Sequence, residues 1–139
     1  MESGGNAAVV ELKIPARPEY VGVARLAILG VASRMRFSYD EVEDVRLAVG
    51  EACTTAVEWA AKNGRQESAL LVRSSIGEST LTVEIIDEAG ERQDLPPQTG
   101  RDIDPESLGA LLVTLLVDEV NVAPIDGGTC VTMIKHAGK

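Results

Sequence analysis

Aromatic side chains are scarce in this chain of 139 residues: one Trp, two Tyr and one Phe, 3% of the total. Its core must therefore be filled with Val, Leu, Ile and Ala. Histidine occurs once, at His136, which leaves little room for His-based zinc sites or a Ser-His-Asp triad. The two cysteines, Cys53 and Cys130, stand in apolar surroundings without Cys-x-x-Cys spacing. Both read as buried free thiols of a protein kept in a reducing cytoplasm. Basic charge is short, with 13 Lys and Arg against 22 Asp and Glu and a net charge of -9. With no basic surplus to release counterions, a nucleic-acid backbone is a poor partner, and so is an anionic membrane surface. Long hydrophobic runs are missing too. The most apolar stretch, "LGALLVTLLV" from Leu108 to Val117, is too short to span a bilayer. The opening "MESGGNAAVVELKIP" has no basic region and no long apolar segment, so no signal peptide is expected.

What is present is a chain with 45% apolar residues, enough for one domain over residues 1–139 with a proper core, behind a flexible stretch at 1–7. "AVVELKIPA" alternates apolar and polar residues up to Pro15 and reads as a first strand. Between Glu19 and Met35, Val23, Leu26, Ala27, Gly30 and Val31 return at helical spacing. A second helix is marked by Ser38 and Glu41 as a capping box, with Gly64 as its C-terminal stop. "ESALLVRSSI" and "STLTVEIID" read as strands around a Gly77-Glu78 turn. The stretch from Glu88 to Glu106 contains Pro96, Pro97 and Pro105 and reads as a lid-like or binding loop. A third helix is expected over about Glu106 to Val117, then a hairpin of "VNVAP" and "TCVTMIK" about the turn "IDGG". The order β-α-α-β-β-α-β-β predicts a two-layer α/β sandwich: a mostly antiparallel sheet with helices on one face.

On the second helix, Val42, Val45, Val49, Ala52, Ala56 and Ala60 form a packing stripe. Glu51 and Thr55, four residues apart, lie one turn apart at its edge, beside Ala48 and Trp59. An edge side chain can be held by the core and still reach a cleft. By their residue types alone, each of these positions is more often structural. Glu51 is then a solvated helix-edge charge, Asp87 a turn-starting residue, Thr129 a β-former and Trp59 a packing residue. Gly109 permits close packing, and Arg25 is a weakly pairing surface cation.

Three separated segments point further. "IPARPEYVGVARL", "YDEVEDVRLAVGEACTTAV" and "DEVNV…GGTCVTMIK", in this order and spacing, resemble the RsbW-type anti-sigma factor serine kinases of the GHKL ATPase superfamily. The resemblance runs from about Val10 to Lys135. It implies an ATP-binding α/β sandwich of the histidine-kinase-like fold that forms homodimers. Such a protein regulates transcription, in the stress response, by sequestering a sigma factor, and phosphorylates a serine on a small STAS-type antagonist. In the family's Glu-x-x-x-Asn box, Glu51 matches the general base, a carboxylate suited to taking the proton of the acceptor hydroxyl. Thr55 stands at the Asn that ligates Mg²⁺, and Trp59 where many members have His. In the Asp-x-Gly-x-Gly box, Asp87 matches the aspartate that reads the adenine amino group, while Ala89 and Glu91 stand at the two glycines. The Gly-x-Gly box, which holds phosphate at a helix N-terminus, reads Ser107-Leu108-Gly109. Thr129 matches a threonine near the adenine, and Arg25 an arginine used for partner contact.

The departures bear on activity. Thr55 offers a hydroxyl in place of an amide carbonyl, so Mg²⁺ would need a bridging water. Ala89 adds a Cβ where a positive φ or close ligand approach is expected, and Glu91 adds negative charge near a polyphosphate. Ser107 is milder, since it can cap the following helix. Three functions follow for comparison: an anti-sigma factor that is also an ATP-dependent serine kinase, a kinase-inactive partner-switching module, and an unrelated α/β interaction domain. Binding of ATP or ADP with Mg²⁺ separates the last from the others.

Overall fold

The computed structural model describes residues 8–90 and 108–138. The first strand, β1 (Ala8–Pro15), ends where Pro15 and a short 3-10 turn at Pro18–Tyr20 redirect the chain. Helix α1 (Val21–Ser33) follows and buries Val21, Ala24, Ile28, Val31 and Ala32. Helix α2 (Tyr39–Lys62) is fixed at both ends. At its start the capping box is complete: Glu41 N–H donates to Ser38 Oγ at 3.1 Å, and Ser38 N–H donates to Glu41 Oε1 at 2.7 Å. At its end Gly64 takes a φ of +67°. Gly64 N–H then reaches Ala61 O and Arg65 N–H reaches Ala60 O at 2.7 Å, the two bonds of a Schellman motif.

Strands β2 (Ala69–Ile76) and β3 (Thr80–Asp87) form the expected hairpin, closed by Gly77 N–H to Thr80 O at 2.9 Å. Helix α3 is described as Leu108–Leu116, and β4 (Glu119–Ile125) and β5 (Gly128–His136) complete the chain. The five strands run in the order β1-β2-β3-β5-β4, every neighbouring pair antiparallel. Alternate strand residues, among them Leu70, Val72, Leu81, Val83, Ile85, Val131 and Met133, bury against the helices in one cluster. The helices thus cover one face, as the alternation predicted. Among the described residues the largest fully buried side chains are aliphatic or Met, so the shortage of aromatics is met by Ile, Leu and Val.

Two expectations about individual residues change. Cys53 is buried, but Cys130 is only half-buried, because it alternates onto the sheet face that the helices leave uncovered. Arg25 is not a free surface cation: its guanidinium lies across Gly50 of α2, where an added Cβ would overlap it. Residues 1–7, expected to be flexible, Glu91, Ser107, the expected start of the third helix at Glu106 and nearly all of the stretch read as a lid-like loop lie outside the described residues.

Candidate nucleotide site

Strand register brings the first pair of candidates together. Asp87 ends β3, Thr129 is the second residue of β5, and the two are direct cross-strand partners. Both face the helical layer and both are buried, at 1% and 0% exposure. A buried carboxylate is costly unless hydrogen-bonded. Asp87 Oδ1 accepts the Ala89 N–H at 3.1 Å, an Asx-type closure of the turn leaving β3.

That turn is tied to its surroundings at several points. Gly90 N–H donates to Gly127 O at 3.1 Å, joining the turn to the β4–β5 connection. Arg65 Nη1 donates to Glu88 O at 3.4 Å, and Trp59 Nε1 donates to Gly90 O at 3.1 Å. Gly128 packs so tightly against Asp87 that a Cβ there would overlap the Asp87 carbonyl oxygen. Gly90 and Gly128 are the residues that sequence reasoning passed over. The doublet Gly127-Gly128 was legible as a turn, but its approach to Asp87 depends on strand pairing across the sheet.

Ala89 requires a correction in physical terms. No non-Gly residue among those described has a positive φ; Gly90 carries it instead, at +93°. The Cβ of Ala89 is therefore unstrained, and its side chain is buried in a small cluster with Ala16 and Ala60 under Trp59.

Helix α2 places Glu51, Thr55 and Trp59 on successive turns of one face, all three half-buried. The Thr55 hydroxyl donates back to the Glu51 carbonyl at 3.0 Å, a common use of Thr inside a helix. Glu51 is half-buried and precedes Thr55 by one helical turn. Gly109 lies in α3. Among the described residues no group of three His, Cys, Asp or Glu side chains forms a metal cage. A small apolar cavity among Val45, Val49, Leu81, Val83, Val117 and Met133 lies toward the opposite end of β3 and β5 from Asp87 and Thr129.

Comparison with known proteins decides the family. The family profile described as "Histidine kinase-like ATPase domain" matches residues 14–135. The chain is 43% identical to the serine-protein kinase RsbW of Bacillus subtilis, over 94% of this chain and 87% of that protein. It is 35% identical to the RsbW serine-protein kinase of Listeria innocua, over 91% of this chain and 86% of that one. The chain belongs to the RsbW family of histidine-kinase-like ATPases.

Solved structures agree on the fold. The RsbU and RsbW domains of a Mycobacterium tuberculosis protein superpose with a TM-score of 0.69 at 15% identity, over 93% of this chain and 32% of that one. The histidine kinase domain of a blue-light activated histidine kinase from Erythrobacter litoralis gives 0.59 at 22%, over 88% and 61%. This chain thus spans about a third of the first and under two thirds of the second. Within the RsbW family, ATP-type nucleotide binding is the shared property, and the Asp87–Thr129 end suits it chemically. It sets a fixed anionic acceptor beside a hydroxyl, both held by strand pairing. No helix of the described residues is long and apolar enough to cross a membrane.

Proposed function

We propose that this chain is an ATP-binding anti-sigma factor of the partner-switching kind. It sequesters a sigma factor as a homodimer in the cytoplasm, acts on protein and not on nucleic acid or membrane, and is countered by a STAS-type antagonist protein. The observation that carries this reading is the end-to-end likeness to RsbW serine-protein kinases, joined by a buried Asp87–Thr129 pair at the sheet end where the family reads adenine. Asp87 accepts the purine amino group, with Thr129 beside it. Ser107 and Gly109 belong to the polyphosphate end, and Ala89 lies in the turn that follows Asp87. Mg·ATP, when bound, supplies the phosphoryl group. Glu51 is the base that takes the proton of the acceptor serine. Arg25, laid along the α1–α2 boundary, belongs to the partner surface.

The deciding experiment is titration of ATP and ADP into the full chain, with and without Mg²⁺, alongside co-purification with candidate sigma factors. Asp87→Asn is expected to weaken ADP binding by about 10- to 150-fold, the range for losing a hydrogen bond to a charged group. Unchanged ADP affinity in that variant would remove Asp87 from the site. Glu51→Gln is expected to leave ATP binding largely intact and abolish phosphate transfer to the antagonist, as befits a base.

One observation favours a second reading, a partner-switching module that transfers no phosphate. The Thr55 hydroxyl, at the family's Mg²⁺ position, spends its proton on the Glu51 carbonyl and offers one short oxygen where an amide reaches farther. Sigma-factor capture with no phosphorylated antagonist would establish it.

A further inference from the structure

Trp59 is the chain's single tryptophan, and it stands on the same face of α2 as Glu51 and Thr55. Its ring is half-buried over Ala16, Ala60 and Ala89. Its one polar atom is not turned to water: the indole N–H donates to Gly90 O at 3.1 Å. Gly90 in turn donates its N–H to Gly127 O, and the preceding Ala89 N–H donates to the Asp87 carboxylate at 3.1 Å. A continuous set of contacts thus runs from the indole through Gly90 and Ala89 to the carboxylate of Asp87. A packing role alone does not require the N–H to end on the turn that orients a buried carboxylate.

We propose that Trp59 is a positioning residue for base recognition, holding the Asp87–Gly90 turn so that the Asp87 carboxylate meets the amino group of a 6-aminopurine nucleotide. The inference rests on the assignment of Asp87 to the purine. Trp59 acts through Gly90 and Ala89 and does not touch the nucleotide. The effect is one of angle: hydrogen bonds weaken steeply as their geometry degrades. A site built around one fixed acceptor discriminates strongly between a ligand that donates to it and one that does not. Loosening the turn therefore harms a ligand with a 6-amino group more than one with a 6-oxo group.

The test is calorimetric titration of ADP and of inosine diphosphate into the wild-type chain and Trp59→Phe, which keeps an aromatic ring and removes the N–H donor. ADP affinity is expected to fall about three- to ten-fold, the effect of one neutral hydrogen bond, while inosine diphosphate affinity changes less than two-fold. An equal loss for both nucleotides, or no loss for either, would overturn the proposal and leave Trp59 as packing. If the wild type binds the two nucleotides equally, or binds neither, the purine reading of Asp87 fails and this proposal falls with it. Preference for ADP in the wild type, unaltered in Trp59→Phe, sinks the Trp59 role alone. A measurement on the wild type covers the case in which the variant does not fold. The lone indole N–H gives one NMR signal, which is expected to move on saturation with ADP; a signal that stays in place overturns the proposal.

Discussion

Cys53 is the most protected titratable group on the helix that carries the candidate site. Burial pushes its thiol up to about 12 from an ordinary 9.0, and the nearby Arg25 guanidinium only partly opposes the shift. The unfolded chain ionises this thiol above pH 9 and the folded chain does not, so the unfolded state holds fewer protons and stability falls with rising pH across that interval. The slope from this group is about 1.4 kcal/mol per pH unit. Cys53→Ala is expected to cost about 1 kcal/mol at pH 7 through the small void left behind, yet to flatten the alkaline limb. Urea denaturation of both proteins at pH 7 and pH 10 checks this, and parallel alkaline losses would contradict it. Thr55 carries a second outcome at this scale. Thr55→Asn puts an amide carbonyl at the position proposed to face Mg²⁺ and frees the Glu51 carbonyl from the hydroxyl. Mg²⁺-dependent ATP binding is expected to rise by about ten-fold. A flat Mg²⁺ response in calorimetry would make Thr55 a helix residue and nothing more.

At the scale of elements, α2 is held by its ends and β3 by its neighbour. Removing the Ser38 hydroxyl deletes one half of the capping box, and Ser38→Ala is expected to destabilise the fold by about 1 kcal/mol. Gly64→Ala places a Cβ at a φ of +67° and is expected to cost about 1–2 kcal/mol. Both belong to folding, and neither should change the preference for ADP over inosine diphosphate. Gly128→Ala is different in kind. Its Cβ would collide with the Asp87 carbonyl, and neither backbone can retreat without opening the β3–β5 ladder at Asp87 and Thr129. That variant is expected to lose ADP affinity by more than ten-fold as well as stability, overpacking costing about 1–3 kcal/mol. Thermal melts beside ADP titrations separate the two classes of glycine. Retained ADP binding in Gly128→Ala would show that the ladder end tolerates movement.

For the whole molecule the dominant fact is charge. A net -9 on a chain of this size repels nucleic acid and favours a partner with a basic face. Association with a captured sigma factor is therefore expected to slow as salt is raised, with dissociation changing less, a pattern that stopped-flow measurements at two ionic strengths would register. Arg25 is one of the 13 Lys and Arg side chains of this acidic protein. Its placement over Gly50 fixes its direction, so Arg25→Ala is expected to weaken capture, and an unchanged affinity removes it from the interface. The open sheet face is also charged: Glu11, Arg73 and Glu84 stand in register on β1, β2 and β3, and Arg73 bonds both carboxylates, at 2.7 and 3.2 Å. Glu11 is exposed and Arg73 and Glu84 are half-buried at the surface, where solvent still screens them, so the row adds little to stability.

Periodicity, caps and turn residues were enough to read the element order, the sheet face that buries, and both ends of α2, because those signals are local. Alternation fixes which strand residues face the helices, and Ser38, Glu41 and Gly64 act within one turn of their own positions. The family likeness was also legible in three stretches of sequence, and the purine roles proposed for Asp87 and Thr129 come from that likeness. Tertiary structure decided what local signals do not carry. The β3–β5 register set Asp87 directly against Thr129. The fold moved the positive φ from Ala89 to Gly90 and turned Arg25 from a surface cation into a cover for Gly50. It also ended the Trp59 indole on Gly90, 31 residues away. Each of these depends on contact between segments distant in the chain, and such contact is set by packing, not by the spacing of neighbours.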